Sequence, residues 1–367
     1  MNEACWMIYG ANGFTGRRIA EEAVTRGHRP ILAGRNRDAI VPLAESLNCP
    51  YRVFSLDAPD DVAAAIAGLG LVLHCAGPFT RTARPMMEAC LKTRTHYLDI
   101  TGEIDVFELA ASLDAEARQR GVTLLSGVGF DVVPSDCLAA KLAGRIAQPT
   151  HLALAFTGIG SVSIGTARTI WETLPKGGAI RRDGQLKRVS LTHRVREIPF
   201  PSGPRMAVTI PWGDVAAAWH TTRIPNIEVY LAMPLKTIKV MRWAGPLLSL
   251  GKVMPSNPMV ETVIRHLLSR PSADKHSEQG AGWENGQAHG ARSEFWGEVK
   301  NEAGDSASAA LITPDGYTLT VSTALASVER VLTDSLPPGF TTPALAFGSD
   351  LIDSMPGVTV RDGLVAV

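Results

Sequence analysis

The sequence has few cysteines, and their arrangement suits neither metal ligands nor disulfide partners. It contains five, all within the first 137 residues, and no two form a C-x-x-C pair. An odd number at wide spacing excludes the usual zinc cage and a disulfide framework. We therefore expect no metal site and a protein that resides in a reducing compartment, the cytoplasm.

An excess of charge and a long apolar run are also missing. Lys plus Arg and Asp plus Glu both number 36, so the formal net charge is zero. Nucleic-acid-binding proteins usually carry a basic surface, so we expect no nucleic-acid partner. No run reaches the roughly 18 apolar residues of a membrane span. The chain begins directly on an apolar strand and lacks the basic segment of a signal peptide, which also favours the cytoplasm.

Several common catalytic motifs are absent. None of the five tyrosines is followed by lysine at the fourth position, the pair with which short-chain dehydrogenases polarise a carbonyl. The sequence also lacks H-E-x-x-H, G-x-S-x-G and a Walker A segment. These absences argue against zinc peptidase, α/β-hydrolase and P-loop nucleotidase activities.

The first third of the chain alternates short apolar runs with helical patterns. This alternation predicts βαβ units and a parallel sheet, and the continuous apolar runs indicate that both faces of the sheet are covered. We therefore predict an α/β fold with a Rossmann-type doubly wound parallel sheet in residues 1–135. The predicted strands are residues 7–9, 31–33, 51–56, 71–75, 97–100 and 122–126.

The pattern changes after about residue 150, where predicted strands become longer and helices fewer. We interpret residues 136–335 as a second domain, mixed and mainly antiparallel α+β, that supplies substrate-binding or catalytic groups. Asp315-Gly316 lies between two apolar runs and predicts a β-hairpin with a strand over residues 317–320. Residues 269–290 are rich in Gly, Ser, His and Gln and predict an exposed loop.

The strongest motif is a glycine-rich segment directly after the first predicted strand. Gly10 permits a tight turn, Gly13 leaves room for a pyrophosphate beside the backbone, and Gly16 lets the next helix pack on the sheet. Free N–H groups at the start of that helix would face the phosphates. The alternative is a glycine-rich turn without a ligand. The predicted cofactor contacts here are Gly10, Ala11, Asn12, Gly13, Phe14, Thr15 and Gly16.

A cation stands where NAD-dependent enzymes present an acid. Arg35 lies 19 residues beyond Gly16, close to the position of the carboxylate that binds the ribose 2′-hydroxyl. A guanidinium there can bind a 2′-phosphate through two hydrogen bonds, so we expect the cofactor to be NADP(H). The alternative is that Arg35 is a solvated surface residue.

Two further segments are candidates for the cofactor site. Asp57 follows the third strand and either contacts the adenine or caps the next helix. Ala76, Gly77 and Pro78 follow the fourth strand, where small residues would let the backbone pass beside the cofactor.

These motifs resemble those of the saccharopine dehydrogenase-like oxidoreductase family, and most closely its trans-acting enoyl reductase subgroup. The resemblance implies an NADP(H)-binding Rossmann domain, an inserted second domain, and C-terminal elements, residues 336–367, that return to the first domain. One departure is Val132, where serine is common in the family. The resemblance rests on GANGFTG at residues 10–16, AGR at 33–35, CAGPF at 75–79, HYLDITGE at 96–103, GFDVVPSD at 129–136, GTAR at 165–168 and TPA at 342–344.

Two polar turns follow strands at the expected ligand edge of the sheet. One carries Asp99, Thr101 and Glu103, and the other carries Asp131, Ser135 and Asp136. A hydride reduction needs a proton donor, which a carboxyl group can be if burial raises its pKa. Asp131 is the first candidate for this donor, followed by Glu103 and Thr101. The alternative is that these residues, like Ser135 and Asp136 after them, serve only as turn and helix-capping residues.

Together, these observations favour an NADP(H)-dependent oxidoreductase that reduces a C=C, C=O or C=N bond in a small or lipid-like acyl substrate. The resemblance adds the preference for an enoyl group. The alternative is a protein that binds NADP(H) without turnover, as a sensor or as a partner of a lipid surface. The sequence does not indicate an oligomeric state.

One segment of the second half bears on possible partners. Lys236, Lys239 and Arg242 recur at a spacing of three beside apolar residues. This pattern is typical of helices that lie on a membrane or dock an acyl carrier protein, and also of ordinary surface helices.

Overall fold

The computed structural model describes residues 5–157, 177–249, 283–284, 287–288, 292–334 and 336–363, with side chains from residue 243 to 249 left aside. The motif at residues 165–168 lies outside the described residues. So does most of the predicted loop at residues 269–290, of which two short strands are described.

The helices and strands of the described residues are numbered in chain order. The first part of the chain contains β1 (Trp6–Tyr9), α1 (Phe14–Thr25), β2 (Ile31–Gly34), α2 (Arg37–Leu47), β3 (Tyr51–Val53), α3 (Pro59–Ile66), β4 (Leu71–His74), α4 (Phe79–Thr93), β5 (His96–Asp99), α5 (Ile104–Ser112), α6 (Asp114–Arg120), β6 (Thr123–Leu125) and α7 (Val133–Ala143). The remainder contains β7 (His151–Phe156), β8 (Gly178–Arg182), β9 (Gln185–Val189), β10 (Val195–Phe200), β11 (Gly203–Thr209), α8 (Asp214–Thr222), β12 (Asn226–Ala232), α9 (Leu235–Ser249), β13 (Trp283–Glu284), β14 (Gln287–Ala288), β15 (Arg292–Lys300), β16 (Ser306–Pro314), α10 (Gly316–Thr333), β17 (Gly339–Thr341), α11 (Pro343–Phe347), a 3-10 helix (Ser349–Ser354) and β18 (Thr359–Asp362).

The chain divides into two compact units. The first comprises Met1–Val133 with Leu319–Leu351, and the second comprises Pro134–Thr318 with Ile352–Val367.

Within the described residues, the first unit contains a seven-stranded sheet in the order β3-β2-β1-β4-β5-β6-β17. Every pair of neighbouring strands is parallel. This is the Rossmann strand order with β17 added at one edge. After β3 the chain crosses to the other side of β1, where β4 lies, so the strand order reverses between β1 and β4. The predicted Rossmann-type doubly wound sheet is therefore confirmed, and its carboxyl edge beside β1 is where such sheets bind ligands.

Alternate residues of each strand bury their side chains on opposite faces of this sheet. Met7 and Tyr9 of β1 pack in the cluster formed with α3, α4 and α5. Trp6 and Ile8 pack in the other cluster, formed with α1, α2 and α10. Since helices cover both faces, the strands are apolar throughout, as the sequence indicated.

The strand predicted over residues 317–320 is wrong, because these residues begin the helix α10. The carboxylate of Asp315 accepts hydrogen bonds from the backbone N–H groups of Tyr317 and Thr318, at 3.1 and 3.2 Å. It thereby satisfies donors that the first turn of a helix leaves unpaired. Asp315-Gly316 starts a helix here and does not form a hairpin turn.

The division into units differs from the predicted boundaries in two places. Most of α10 belongs to the first unit, because Ala324, Leu325 and Val328 pack in its core. Conversely, the C-terminal segment does not all return to the first domain. β17 pairs with β6, whereas β18 pairs with β16 in the sheet of the second unit.

The second unit contains a mixed sheet whose main path runs β10-β11-β12-β7-β15-β16-β18 among the described residues. β12 and β7 are parallel, and the other described pairs are antiparallel. Trp296 and Tyr230 are fully buried in its core. A Cβ at Gly297 would lie 2.6 Å from Leu142, so α7 packs tightly on β15 at this glycine. The predicted mixed, mainly antiparallel domain is confirmed.

Within the described part of the chain, no helix is both long and apolar enough to cross a membrane.

Candidate active site

The glycine-rich turn after β1 is fixed by the fold at two of its three glycines. Gly10 has φ +85°, and a Cβ there would lie 2.8 Å from the backbone nitrogen of Ala76. A Cβ at Gly16 would lie 2.3 Å from the carbonyl oxygen of Gly10. The N–H groups of Gly10 and Ala11 both donate to the carbonyl of Ala33, at 2.7 and 3.1 Å. These contacts hold the turn against β2 and β4.

Gly13 differs from the other two glycines because the space beside it is open. A Cβ at this position would meet a single neighbouring atom within 4 Å, the Gly10 oxygen at 3.1 Å. Asn12, Gly13 and Phe14 are exposed, and Thr15 is half-buried. The turn thus leaves a cradle that a side chain would fill, as expected where a pyrophosphate approaches the backbone.

Helix α1 begins at this cradle, and its N-terminal, positive end faces it. Its N-cap is Gly13, and within this fully described helix no side chain caps the first turn and no acid lies in it. The first N–H groups and the helix dipole therefore favour an anion. The Arg18 guanidinium lies 4.4 Å from the centroid of the exposed Phe14 ring. The residues present fit the phosphates of a dinucleotide.

Arg35 and Asp57 follow β2 and β3 at the carboxyl edge of the sheet, and both act electrostatically on the Tyr9 hydroxyl. Burial raises the pKa of Tyr9 to about 12, with a smaller lowering effect from Arg35 and a raising effect from Asp57. Arg35 is exposed and pairs with no acid among the described residues. Its guanidinium is thus available to a phosphate. Asn12 lies on the same side, since a Cβ at Gly34 would come 2.9 Å from its amide oxygen.

Asp57 does not cap the helix that follows it. Helix α3 begins at Pro59, and Ala58 at its N-cap gives no side-chain hydrogen bond. The Asp57 carboxylate is exposed and accepts a hydrogen bond from the Ser55 hydroxyl. The sequence predicted two alternative roles for Asp57. This geometry argues against helix capping and is compatible with a contact to the adenine of the cofactor.

The loop after β4 runs beside the glycine-rich turn and is held from two directions. The Thr82 hydroxyl donates to the carbonyl of Ala76 at 2.6 Å. The Glu103 carboxylate accepts from the N–H groups of Phe79 and Thr80, at 2.9 and 2.7 Å. Glu103 therefore caps α4, a helix that begins 24 residues earlier in the chain, whereas the sequence suggested a cap on the helix that follows it. Gly77 and Pro78 lie between Ala76, which Thr82 holds, and Phe79, which Glu103 holds.

Thr101 belongs to a closed network of turn hydrogen bonds. Its backbone N–H donates to Asp99 at 3.0 Å, and its hydroxyl accepts from the N–H of Glu103 at 3.1 Å. Asp99 also accepts from the Gly127 N–H at 2.8 Å and from the Ser126 hydroxyl at 3.0 Å. Thr101 is fully buried, so this geometry favours the turn-forming role over proton transfer.

Asp99 itself ties the ends of β5 and β6 together, a role that the sequence did not indicate. Burial raises the pKa of Asp99 to about 6, and the hydrogen bonds it accepts oppose that rise. Because its oxygens are engaged by the backbone and by a hydroxyl, Asp99 is a structural carboxyl at the base of both polar turns.

Asp131 lies beyond β6 and packs against the turn that follows β5. A Cβ at Gly102 would lie 3.1 Å from both Cβ and Oδ2 of Asp131. The side chain is partly exposed. Loss of solvation, with a smaller effect from the carboxylate of Glu103, raises the pKa of Asp131 to about 7. This carboxyl group can therefore hold or release a proton near neutral pH.

The two glycines before Asp131 serve the packing of the protein. A Cβ at Gly127, which has φ +78°, would lie 2.6 Å from the Phe107 ring. A Cβ at Gly129 would lie 3.1 Å from Thr320 of α10. The close approach that these two glycines permit is to the protein's own side chains.

Ser135 and Asp136 belong to the second unit, and their side chains bind α8. The Ser135 hydroxyl donates to Asp214 at 2.5 Å, and Thr221 donates to Asp136. Both contacts join the start of α7 to α8. The first unit thus brings together the glycine-rich turn, the loop after β4, Glu103 and Asp131.

Comparison with known protein families supports the cofactor assignment. Residues 6–125 match the family model described as the saccharopine dehydrogenase NADP binding domain. This match covers the sheet from β1 to β6 with the glycine-rich turn and Arg35. It confirms the resemblance expected from the sequence motifs, and the protein binds NADP(H).

Curated relatives of similar sequence are named trans-acting enoyl reductase. The one from Mycobacterium leprae is 31% identical over 150 residues, 39% of this chain and 36% of the relative. The one from Mycobacterium tuberculosis is 32% identical over 147 residues, 38% of this chain and 35% of the relative. The chain thus spans well under half the length of the curated relatives it matches.

Among solved structures, a saccharopine dehydrogenase (L-Glu forming) from Saccharomyces cerevisiae has a similar fold. The match has a TM-score of 0.64 at 12% identity and covers 99% of this chain and 100% of the other. At that identity the likeness concerns the fold alone.

Proposed function

We propose, from the premise that residues 6–125 form a saccharopine dehydrogenase NADP-binding domain, that this oxidoreductase reduces a C=C, C=O or C=N bond with NADPH. The observation that carries the proposal is Asp131, a partly exposed carboxyl whose pKa lies near neutrality at the carboxyl edge of the dinucleotide-binding sheet. Among the three bonds we favour C=C in an enoyl group of a small or lipid-like acyl substrate. The names of the relatives support this choice.

The residues of the chain have distinct tasks in this proposal. The glycine-rich turn and α1 bind the pyrophosphate, and Arg35 binds the 2′-phosphate. The bound cofactor supplies a hydride to one carbon of the double bond. The electron pair of that bond then takes up a proton at the other atom, and Asp131 donates it. Water reprotonates the Asp131 carboxylate afterwards, so each turnover consumes one NADPH and one proton.

The experiment measures oxidation of NADPH in the presence of 2-enals, enoyl thioesters, ketones and imines. The wild type is compared with Asp131→Asn and with Asp61→Asn, an exposed aspartate on α3. The proposal expects turnover with at least one enoyl compound, retained by the Asp61 variant and lost by the Asp131 variant. Equal rates for all three proteins would exclude Asp131 as the donor.

A second candidate function is attachment to an anionic lipid surface, favoured by the exposed side of α9. Leu235 and Val240 are 48% and 49% exposed there, although both are apolar. Lys236, Lys239 and Arg242 are exposed beside them, and the sequence of α9 contains no acid. Apolar side chains among cations fit a surface that combines negative headgroups with acyl chains.

A further inference from the structure

Two arginines follow β2 at the carboxyl edge of the first sheet. Arg35 comes directly after β2, and Arg37 is the first residue of α2. Both side chains are exposed, and neither guanidinium forms an ion pair or a hydrogen bond with another group in the described part of the chain. This edge of the sheet therefore presents two positive charges to solvent, whereas only Arg35 has been given a contact with the cofactor above.

The backbone between the two arginines makes their side chains leave the chain on the same side. Asn36 has φ −97° and ψ 103°, an extended conformation. In extended backbone the residues before and after a given residue project to one side, and that residue projects to the other. The Asn36 side chain agrees with this direction, because it turns to α2 and accepts from the Asp38 N–H at 3.0 Å. Arg35 and Arg37 thus project together, away from that cap.

The side chain of Asn12 reaches the same place from the glycine-rich turn. Hydrogen bonds of 2.7 and 3.1 Å to the carbonyl of Ala33 hold this turn against the end of β2. A Cβ at Gly34 would lie 2.9 Å from Oδ1 of Asn12. Gly34 therefore leaves room for the Asn12 amide one residue before Arg35. Asn12 is exposed, and within the described residues its amide makes no hydrogen bond.

The acids at this edge do not neutralise the two arginines. Asp57, after β3, accepts a hydrogen bond from the Ser55 hydroxyl. Asp38 lies in the first turn of α2, where its carboxylate offsets the positive end of the helix dipole. Among the described residues, neither acid forms an ion pair with Arg35 or Arg37. An anion here would thus be bound by side chains and not by the N-terminus of α2.

A phosphate monoester matches this arrangement in charge and in hydrogen-bonding groups. Near neutral pH it carries a charge of about −1.5 to −2, and its three oxygens accept hydrogen bonds. One guanidinium would leave an excess of negative charge, whereas two balance it, and each can donate two parallel hydrogen bonds. The 2′-phosphate distinguishes NADP(H) from NAD(H), and the matched domain is an NADP-binding one.

We propose that three side chains, Arg35, Arg37 and Asn12, bind the 2′-phosphate together and set the preference for NADP(H). Arg37 supplies the second positive charge. The Asn12 amide donates a hydrogen bond, where a carboxylate would repel the phosphate. The tasks of Arg37 and Asn12 rest on the contact proposed above for Arg35, and they are independent of the substrate and of Asp131.

The test uses two fragments of the cofactor that differ only at the 2′ position of the adenosine. 2′-Phospho-ADP-ribose carries the phosphate, and ADP-ribose lacks it. The affinity of the full-length protein for each is measured by isothermal titration calorimetry, and the ratio of the two affinities isolates the contribution of the 2′-phosphate. Neither fragment contains nicotinamide, so the measurement does not depend on turnover.

The wild type is compared with Arg37→Ala, Asn12→Asp, Arg35→Ala and a control, Arg120→Ala. Arg120 is an exposed arginine at the end of α6, which leads into β6 at the opposite, amino edge of the sheet. All four positions are exposed, and thermal unfolding verifies that each variant is folded.

Arg37→Ala should lower the affinity ratio by roughly three- to tenfold, between the effect of an exposed ion pair and that of a charge-assisted hydrogen bond, and should leave the affinity for ADP-ribose unchanged. Asn12→Asp should lower the ratio by roughly tenfold or more, because a negative charge replaces a donor beside the phosphate. Arg120→Ala should match the wild type. The wild-type ratio should also fall as salt is raised, since the site is exposed.

Each other outcome refutes a stated contact. A wild-type ratio in Arg37→Ala, with a reduced ratio in Arg35→Ala, would leave Arg35 as the single charged ligand and overturn the proposal. Equal weakening of both fragments by Arg37→Ala would overturn it as well, because the effect would not concern the 2′-phosphate. A wild-type ratio in Asn12→Asp would remove Asn12 from the site. A wild-type ratio in Arg35→Ala would instead refute the contact on which the other two rest.

Discussion

The three glycines of the turn after β1 look alike in sequence but differ in what a side chain would meet. Replacing Gly13 by valine is expected to remove NADPH binding and preserve the fold. Gly13 has φ −73° and ψ 163°, an extended conformation that valine adopts without strain. Its Cβ would meet only the Gly10 oxygen at 3.1 Å, so we expect a stability cost at the lower end for overpacking, about 1 kcal/mol.

The effect on binding follows from the position of Gly13 at the start of α1. The valine methyl groups would occupy the cradle and displace the pyrophosphate from the first N–H groups of the helix. A hydrogen bond to a charged acceptor contributes about 1.5–3 kcal/mol. Loss of two such bonds weakens binding by about a hundredfold or more.

Gly16→Ala is expected to have the opposite effect. Its Cβ would lie 2.3 Å from the Gly10 oxygen, 3.0 Å from the Gly10 carbonyl carbon and 3.1 Å from Cα of Ala11. These are backbone atoms, which cannot move away by a change of rotamer. We therefore expect the free energy of unfolding to fall by about 3 kcal/mol, the upper end for overpacking. For a unit of this size the melting temperature should fall by about 6–12 °C.

The assay combines thermal unfolding with fluorescence titration of NADPH. Gly144→Val, at an exposed glycine after α7 with space around it, is the matched control and should change neither quantity. Wild-type affinity in a folded Gly13→Val protein would refute the assignment of the cradle to the pyrophosphate. An unchanged melting temperature for Gly16→Ala would refute the steric argument.

Three further substitutions test the remaining assignments. Arg35→Ala should reduce the preference for NADPH over NADH by about ten- to a hundredfold in titrations, because the 2′-phosphate loses a charged partner; an unchanged preference would contradict this. Asp131→Asn should lower turnover by about 10²–10⁴-fold at unchanged NADPH affinity. In the wild type, turnover should fall as pH rises through about 7, since the donor must be protonated, and a rise would reverse the assignment. Replacing Lys236, Lys239 and Arg242 together by alanine should weaken co-sedimentation with anionic vesicles at low salt, because each cation contributes about 1 kcal/mol of binding free energy. Equal sedimentation of variant and wild type would show that α9 is an ordinary surface helix.

The first sheet was predictable because its strands are buried on both faces. The runs at β1, β2 and β4 contain almost no polar residue, and their ends fall within one residue of the predicted ones. α2 was missed, because its sequence RDAIVPLAESL carries a proline inside the helix. The Asn36 side chain, which accepts from the Asp38 N–H at 3.0 Å, starts that helix.

The candidate site was predictable only where a motif is local. The glycine-rich turn and Arg35 lie within one strand–helix–strand unit, so spacing alone placed them at one edge. The bonds from Glu103 to Phe79 and Thr80 join residues that lie far apart in sequence. Residue type and spacing give no sign of such contacts. The sequence therefore did not indicate that Glu103 caps α4.

The last strand of the dinucleotide-binding sheet has a consequence for synthesis of the chain. β6 is complete at residue 125, but its neighbour β17 emerges only at residues 339–341. At roughly 5–20 residues per second, a ribosome needs about 10–40 s to supply it. During that interval β6 is an open edge, and the apolar face that α10 later covers is exposed. A fragment that ends near residue 135 would lack both β17 and α10, and it would keep this strand edge and this apolar face exposed permanently.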